Sequence, residues 1–242
     1  MASSVVLNRH LIKKLSWFGT LSTHDKDMLA QLIARRTRSL ASGVNIIEEG
    51  EQPTAFYLLQ EGWSYGYKVL ENGRRQIIAF LLPGDVCYLN LFLLKRMDHS
   101  IRTITPVVIS EVTRREFDGL VANSSSVGQA LSREALSSAA IQREWTVNIA
   151  QRPALKRVAH LICELFIRLE NVGLTNGRSC EFPLTQMDLG DALGLTGIHV
   201  NRVLQRLRSL NLLALKGRVL TIPDIQALRQ LAGFNSSYLQ LT

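Results

Sequence analysis

The chain has few cysteines, few aromatic residues and no long hydrophobic run, and each shortage excludes a class of protein. Cys87, Cys163 and Cys180 are its 3 cysteines in 242 residues. They make no CxxC pair and no closed disulfide set, so they read as thiols of a reducing compartment. The Asn-Ser-Ser triplets at Asn123 and Asn235 then carry no glycan. The longest apolar stretches, such as residues 77–82, fall far below the roughly 18–20 residues needed to span a bilayer. The opening residues, MASSVVLNRH, lack a long apolar segment. No secretory signal and no membrane contact are therefore expected, and a cytoplasmic location is. His10, His24, His99, His160 and His199 include no pair at i, i+4, so no helical metal site is expected.

What is present suits a folded, globular chain. Hydrophobic residues make up 46% of the chain, enough for the cores of two ordinary domains. The formal net charge is +8, from 28 Lys/Arg against 20 Asp/Glu. The excess is concentrated: 11 against 6 from Ala150 onward, and 17 against 14 in the longer part before it. A basic balance favours polyanionic partners, although a solvated basic surface gives the same count.

The texture changes along the chain. Residues 1–34 read as helical, with Ser22 and Asp25 marking a helix start. From about Arg35 to Glu116, short β-prone runs alternate with glycines at 43, 50, 62, 66, 73 and 84. Glu71-Asn72-Gly73-Arg74 between two such runs signals a hairpin, because Asn-Gly readily takes positive φ. A small all-β barrel or roll is expected. After a polar break at 123–126, residues 127–150 read as one long helix. Val127, Leu131, Ser138, Ile141 and Trp145 fit a seam along it, with Glu134 a weaker member. The seam is expected to be a dimer interface, with packing on the chain's own roll as the alternative. A helical stretch at 154–170 and a loop or short hairpin at 171–181 follow.

The decisive segment is 182–208. Thr185 followed by Asp188 is a capping box variant. Met187, Leu189, Ala192 and Leu193 then give a short helix its inner face, and Gly194 ends it where positive φ is needed. Thr196 caps a second helix running to about Ser209. Val200, Val203, Leu204 and Leu207 form its packing stripe. Gly197, Ile198, His199, Asn201, Arg202, Gln205 and Arg206 are left outward. Two short helices joined by about three residues, with a basic and amide-rich face on the second, make the geometry that enters a major groove. Beyond it, Lys216-Gly217-Arg218 between two short strands reads as a wing with cations for phosphate. Pro223-Asp224 opens a last helix. Double-stranded DNA is the expected partner, with Thr185, Gln186, Thr196, Gly197, Ile198, His199, Asn201, Arg202, Gln205, Arg206, Lys216 and Arg218 as its contacts.

These residues resemble the Crp/Fnr family of transcription regulators. Gly43-Val-Asn-Ile-Ile-Glu-Glu-Gly50, Phe56-Tyr-Leu-Leu-Gln-Glu-Gly62 and Pro83-Gly84-Asp85-Val86 look like that family's cyclic-nucleotide-binding-type β-roll. Residues 184–207 look like its helix-turn-helix, and 127–150 fall where its dimerising helix belongs. The resemblance implies an α+β chain in three parts: a roll at 1–122, a dimerisation helix at 123–152 and a winged helix-turn-helix at 153–242. It also implies a homodimer, a palindromic operator, a signal received in the roll, and RNA polymerase as a candidate partner. Arg202 matches the family's later base-reading arginine, whereas Gly197-Ile198 stands where the cyclic-AMP receptor protein has an Arg-Glu pair.

The effector is less legible. Gly84, Asp85, Cys87, His99, Ser100 and Arg102 are the candidate pocket. The family's phosphate cassette pairs a Glu with an Arg that precedes Ser or Thr. Here the Glu is missing and His99-Ser100 replaces Arg-Ser, so the phosphate loses its bidentate guanidinium. A cyclic nucleotide is not expected, and an alternative reading keeps the roll as a cyclic-nucleotide-binding module controlling the DNA-binding form. No cysteine precedes Cys87, which argues against an iron-sulfur cluster. Haem would have only Cys87 or His99 as ligand, and Cys87 suits a small core residue. Gly62-Trp-Ser-Tyr-Gly66 matches the G-x-S-x-G of a nucleophile elbow, but a strand follows where that elbow needs a helix. No cofactor and no catalysis are expected.

Overall fold

The computed structural model describes residues 9–87 and 94–240. The expected readings of residues 1–8 and of Tyr88 to Phe92 lie outside the described residues. Two helices come first, α1 (Arg9–Phe18) and α2 (Thr23–Arg35). Ser22 caps α2: its hydroxyl accepts from the Asp25 N–H while the Asp25 carboxylate accepts from the Ser22 N–H.

Eight strands follow: β1 (Thr37–Leu40), β2 (Asn45–Ile47), β3 (Ala55–Glu61), β4 (Ser64–Val69), β5 (Arg75–Leu81), β6 (Val86–Cys87), β7 (Ser100–Thr103) and β8 (Val107–Thr113). They form two antiparallel sheets, ordered β1-β8-β3-β6 and β2-β7-β4-β5. The β4–β5 hairpin turns where Asn72-Gly73 announces it. Leu70 N–H donates to Arg74 O, and Gly73 takes φ 78°. Strands β1, β6 and β7 go beyond the expected runs. At 4, 2 and 4 residues they are too short for alternation to register.

Helix α3 (Arg114–Asn123) is also additional, and its start was encoded: Thr113 and Glu116 make a complete capping box. The polar break shrinks to Ser124, which caps α4 (Ser125–Gln151) by accepting from the Val127 N–H. At 27 residues, α4 is about 40 Å long. Helix α5 (Ala154–Val172) is buried along most of its length. The C-terminal part contains β9 (Thr175–Asn176), β10 (Ser179–Glu181), α6 (Gln186–Leu193), α7 (Gly197–Ser209), β11 (Ala214–Lys216), β12 (Val219–Thr221) and α8 (Ile225–Ala232). A 3-10 turn at Ser236–Leu239 follows.

Two apolar cores result. One fills the roll beneath α1, α2 and the start of α4. The other joins Trp63 and Phe80 of the roll to Trp145 of α4, then to α5 and the C-terminal helices. The roll and the C-terminal part therefore share one continuous interior.

Where the two cores meet, charges replace apolar contact. Gly84, at φ 92°, lets the backbone of α1 come close, since a Cβ there would lie 2.9 Å from the His10 carbonyl. The next carboxylate, Asp85, accepts from Lys14 Nζ at 2.7 Å, from Arg168 Nη2 at 2.6 Å and from the Leu82 N–H at 2.8 Å. Lys14 also donates to Glu134 of α4, and Arg168 lies 3.3 Å from Glu164 of its own helix. Glu164 accepts besides from Trp145 Nε1 and from the Tyr238 hydroxyl. Burial pushes Asp85 up, but the charges of Lys14 and Arg168 outweigh it and hold the group below its ordinary value. Burial prevails at Glu164, which sits above its ordinary value despite Arg168 and its two neutral donors. Replacing Arg168 by Met takes from buried Glu164 its cation and from Asp85 one of its two. We expect a loss of about 3–5 kcal/mol in urea unfolding; an unchanged midpoint would show that the cluster contributes no net stability.

Candidate DNA-recognition surface

The helix pair α6–α7 is built by short-range chemistry. Thr185 Oγ1 accepts from the Asp188 N–H at 3.1 Å, and Asp188 Oδ2 accepts from the Thr185 N–H at 3.0 Å. Gly194 ends α6 at φ 64°, as expected of a left-handed cap. The turn is tight enough that a Cβ on Gly190 would sit 2.6 Å from the Leu195 carbonyl oxygen. Thr196 Oγ1 then accepts from the His199 N–H and starts α7. Val200, Val203, Leu204 and Leu207 are buried on α6 and α5, as their spacing requires. One expectation is corrected. Met187 is 68% exposed rather than internal, because the buried side of this short helix is filled by Leu189, Ala192 and Leu193.

The opposite face of α7 is open. Thr196, Ile198, His199, Asn201, Arg202, Gln205 and Arg206 are all exposed, and Gly197 is half-buried. Thr185 and Gln186 at the start of α6 are exposed as well. The wing strands pair Leu215 with Leu220 and Lys216 with Val219, and Gly217 turns between them at φ 62°. Lys216 and Arg218 stand exposed at its tip. Among the described residues, no side chain forms an ion pair or hydrogen bond with those of Arg202, Arg206, Lys216 or Arg218. The face therefore presents cations and amides already free of internal partners.

A contact with the roll holds this unit in place. Arg75 on β5 donates to Asp188 Oδ1 at 2.9 Å and to Asp191 Oδ2 at 2.7 Å, and its guanidinium lies 4.8 Å from the Tyr65 ring centroid. Asp188 is at once the capping residue of α6 and the acceptor for Arg75. Sequence reasoning missed Arg75, for nothing in a strand's alternation marks a cation that pairs more than 100 residues away.

The candidate effector residues do not surround one space. Gly84 abuts α1, and Asp85 belongs to the ion cluster. Cys87 is fully buried opposite Tyr57, and burial pushes its thiol up, away from the reactive thiolate. His99 Nδ1 lies 2.7 Å from Asp98 Oδ1. Ser100 Oγ accepts from the Glu49 N–H, and Arg102 sits half-buried on β7, across from Tyr65. A cavity of about 400 Å³ lies instead between α1, β5, α4 and α5, and of the six only Asp85 borders it. Trp17, Phe80, Ile141, Trp145 and Leu239 give it an apolar wall, and the buried Asn171 Nδ2 on its edge has no partner. Among the described residues no three His, Cys, Asp or Glu side chains converge as metal ligands.

The five seam positions on α4 divide by burial. Val127 and Leu131 are buried against α1, and Trp145 is held by Phe80 and Glu164. Ser138 is exposed but donates to Glu134 on its own helix, and Ile141 is half-buried on the cavity. Val127, Leu131 and Trp145 are thus taken up inside the chain, whereas Ser138 and Ile141 keep exposed surface. The outward stripe is Ser132, Leu136, Ala139, Arg143 and Val147, at steps of 3 and 4, with Leu136 68% exposed.

Comparison with known proteins agrees with this geometry. Residues 37–124 match the cyclic nucleotide-binding domain, and residues 156–231 match the Crp-like helix-turn-helix domain. An anaerobic regulatory protein of Aggregatibacter actinomycetemcomitans is 26% identical over 222 residues, 92% of this chain and 86% of that protein. The fumarate and nitrate reduction regulatory protein of Escherichia coli K12 is 26% identical over 214 residues, 88% of this chain and 85% of that protein. The structure of FixK2 from Bradyrhizobium japonicum superimposes with a TM-score of 0.72 at 26% identity, covering 81% of this chain and 96% of that one. No helix among the described residues is long and apolar enough to cross a membrane. With a cyclic-nucleotide-binding-type roll, a winged helix-turn-helix and relatives that match along most of its length, the chain belongs to the Crp/Fnr family of DNA-binding transcription regulators.

Proposed function

We propose that this regulator binds a palindromic operator as a homodimer, with α7 in the major groove, the wing on the backbone and the roll as its sensor. The open face of α7 carries the reading, above all Arg202, which is exposed and opposite the packing stripe. A planar guanidinium donates two bonds to O6 and N7 of one guanine, an arrangement no other base pair offers. Lys216 and Arg218 suit phosphate, which carries affinity without sequence information. The two copies meet through the outward stripe of α4, where Leu136, Ala139 and Val147 supply apolar contact. Half-sites then lie about one helical turn apart, roughly 34 Å between centres. The same reading proposes a cytoplasmic location and RNA polymerase as a further partner.

The roll is proposed to sense something other than a mammalian-type cyclic nucleotide. Asp85 is saturated by Lys14 and Arg168, and Arg102 lies on another strand from Cys87. The domain match to cyclic-nucleotide binders keeps the rival reading in view. The 400 Å³ cavity is of the size that takes a small, mainly apolar molecule. Its ends are formed by α1, β5, α4 and α5, so an occupant there touches both the sensor and the first helix of the DNA-binding part.

Three measurements test this reading. Arg202→Ala should weaken binding to a selected operator by about 1–3 kcal/mol and relax preference at one base pair per half-site. Lys216→Ala or Arg218→Ala should weaken all sequences alike and lower the salt slope by roughly one. An equal loss for Arg202→Ala on cognate and scrambled DNA would assign Arg202 to phosphate. For the dimer, Leu136→Asp with Val147→Asp should sediment as monomers with weakened operator binding, and a wild type that stays monomeric on DNA sinks the seam. Calorimetry with cyclic AMP and cyclic GMP should show no binding at physiological concentrations; tight binding with a large gain in operator affinity would restore the rival.

A further inference from the structure

We infer that Ile198 reads the methyl group of one thymine in each half-site, so that part of this regulator's specificity is apolar. The inference rests on the DNA-binding reading above and assigns to that surface a contact of a different chemical kind. Single exposed hydrophobic side chains are ordinary on protein surfaces, so exposure alone decides nothing. Position decides here. Ile198 is 71% exposed, the most exposed large hydrophobic side chain among the described residues. It is the second residue of α7, and a recognition helix of this type presents its N-terminal residues to the base edges. It lies four residues before Arg202, one turn earlier on the same face, and both side chains line one shallow concavity with Thr196, His199 and Arg206.

The chemistry leaves one counterpart. An isoleucine side chain neither donates nor accepts, so it cannot read the hydrogen-bonding pattern of the groove. The only apolar group that B-DNA offers on a major-groove base edge is the C5-methyl of thymine. Gly197 beside it has no side chain, and a Cβ there would meet nothing within 4 Å. The start of α7 beside the exposed isoleucine is thus unobstructed. Four residues of helix advance about 6 Å, against about 3.4 Å per base pair. The thymine is therefore placed about two base pairs from the guanine assigned to Arg202.

The test removes the methyl and nothing else. Sites selected from random DNA by the full chain are resynthesised with deoxyuridine replacing each thymine in turn. One replacement per half-site, about two base pairs from the Arg202-dependent guanine, should weaken binding about fourfold, the worth of roughly one buried methylene. Replacing it in both half-sites should cost roughly 16-fold. Ile198→Ala should bind the thymine and uracil forms equally, with an unchanged salt slope, while Ile198→Val retains part of the preference. If every uracil-substituted site binds like its parent, or if Ile198→Ala still prefers thymine, the methyl contact is wrong although DNA recognition by α7 stands. If selection recovers no sequence and Arg202→Ala changes nothing, DNA recognition by α7 fails first and this contact with it.

Discussion

Asp85 is the carboxylate on which the separate parts of the chain converge. It is delivered by the tight turn at Gly84 and held between Lys14 of α1 and Arg168 of α5. Through Lys14 it reaches Glu134 of the long helix, and through Arg168 it reaches Glu164, Trp145 and Tyr238. A cluster of this kind is a weak source of net stability, because the desolvation of each ion offsets most of the attraction. It is a strong source of geometry, since any displacement of α1, α4 or α5 leaves a buried charge unmatched. The charges thus add a positional constraint to that set by the apolar cores on either side.

That constraint explains how a roll and a DNA-binding unit behave as one body. Helix α5 carries Arg168 at the roll end and packs directly on α7 and α8 along its length. The second tie, Arg75 to Asp188 and Asp191, grips α6 at its capping box. The recognition helix is thereby referred to β5 at one side and to α5 at the other. The cavity beside Asp85 lies between the same elements, so an occupant that moves α1 or α4 acts on the ion cluster before anything else. Coupling by this route needs no change within α6 or α7 themselves, whose local hydrogen bonds are complete.

What the sequence made legible follows the range of the forces involved. The α6–α7 unit was readable nearly residue by residue, because caps, a positive-φ glycine and a 3–4 spaced stripe are all local signals. Met187 was misread, since in an eight-residue helix one extra apolar side chain fits the stripe without being needed in it. The α4 seam shows the limit of periodicity. Val127, Leu131 and Trp145 do mark a buried face, but periodicity cannot say what buries it, and here it is α1, the roll and α5. The complementary stripe through Leu136, Arg143 and Val147 had the same spacing and was masked by its polar neighbours. Lys14, Arg75 and Arg168 were invisible as partners, because ion pairs across the chain leave no pattern along it.

The charge distribution completes the logic. Within the fold, the half-buried Arg75, Arg157 and Arg168 all donate to acceptors of their own chain. On the outer surface of α7 and the wing, Arg202, Arg206, Lys216 and Arg218 are exposed and unmatched. An internal carboxylate beside any of them would compete with phosphate or base and weaken binding in proportion. Two carboxylates of α6, Asp188 and Asp191, are instead paired with Arg75 of the roll. The same arginine that ties the roll to α6 thus also offsets two carboxylates at the base of the helix pair, so anchoring to the sensor and a lower negative charge in α6 come from one interaction.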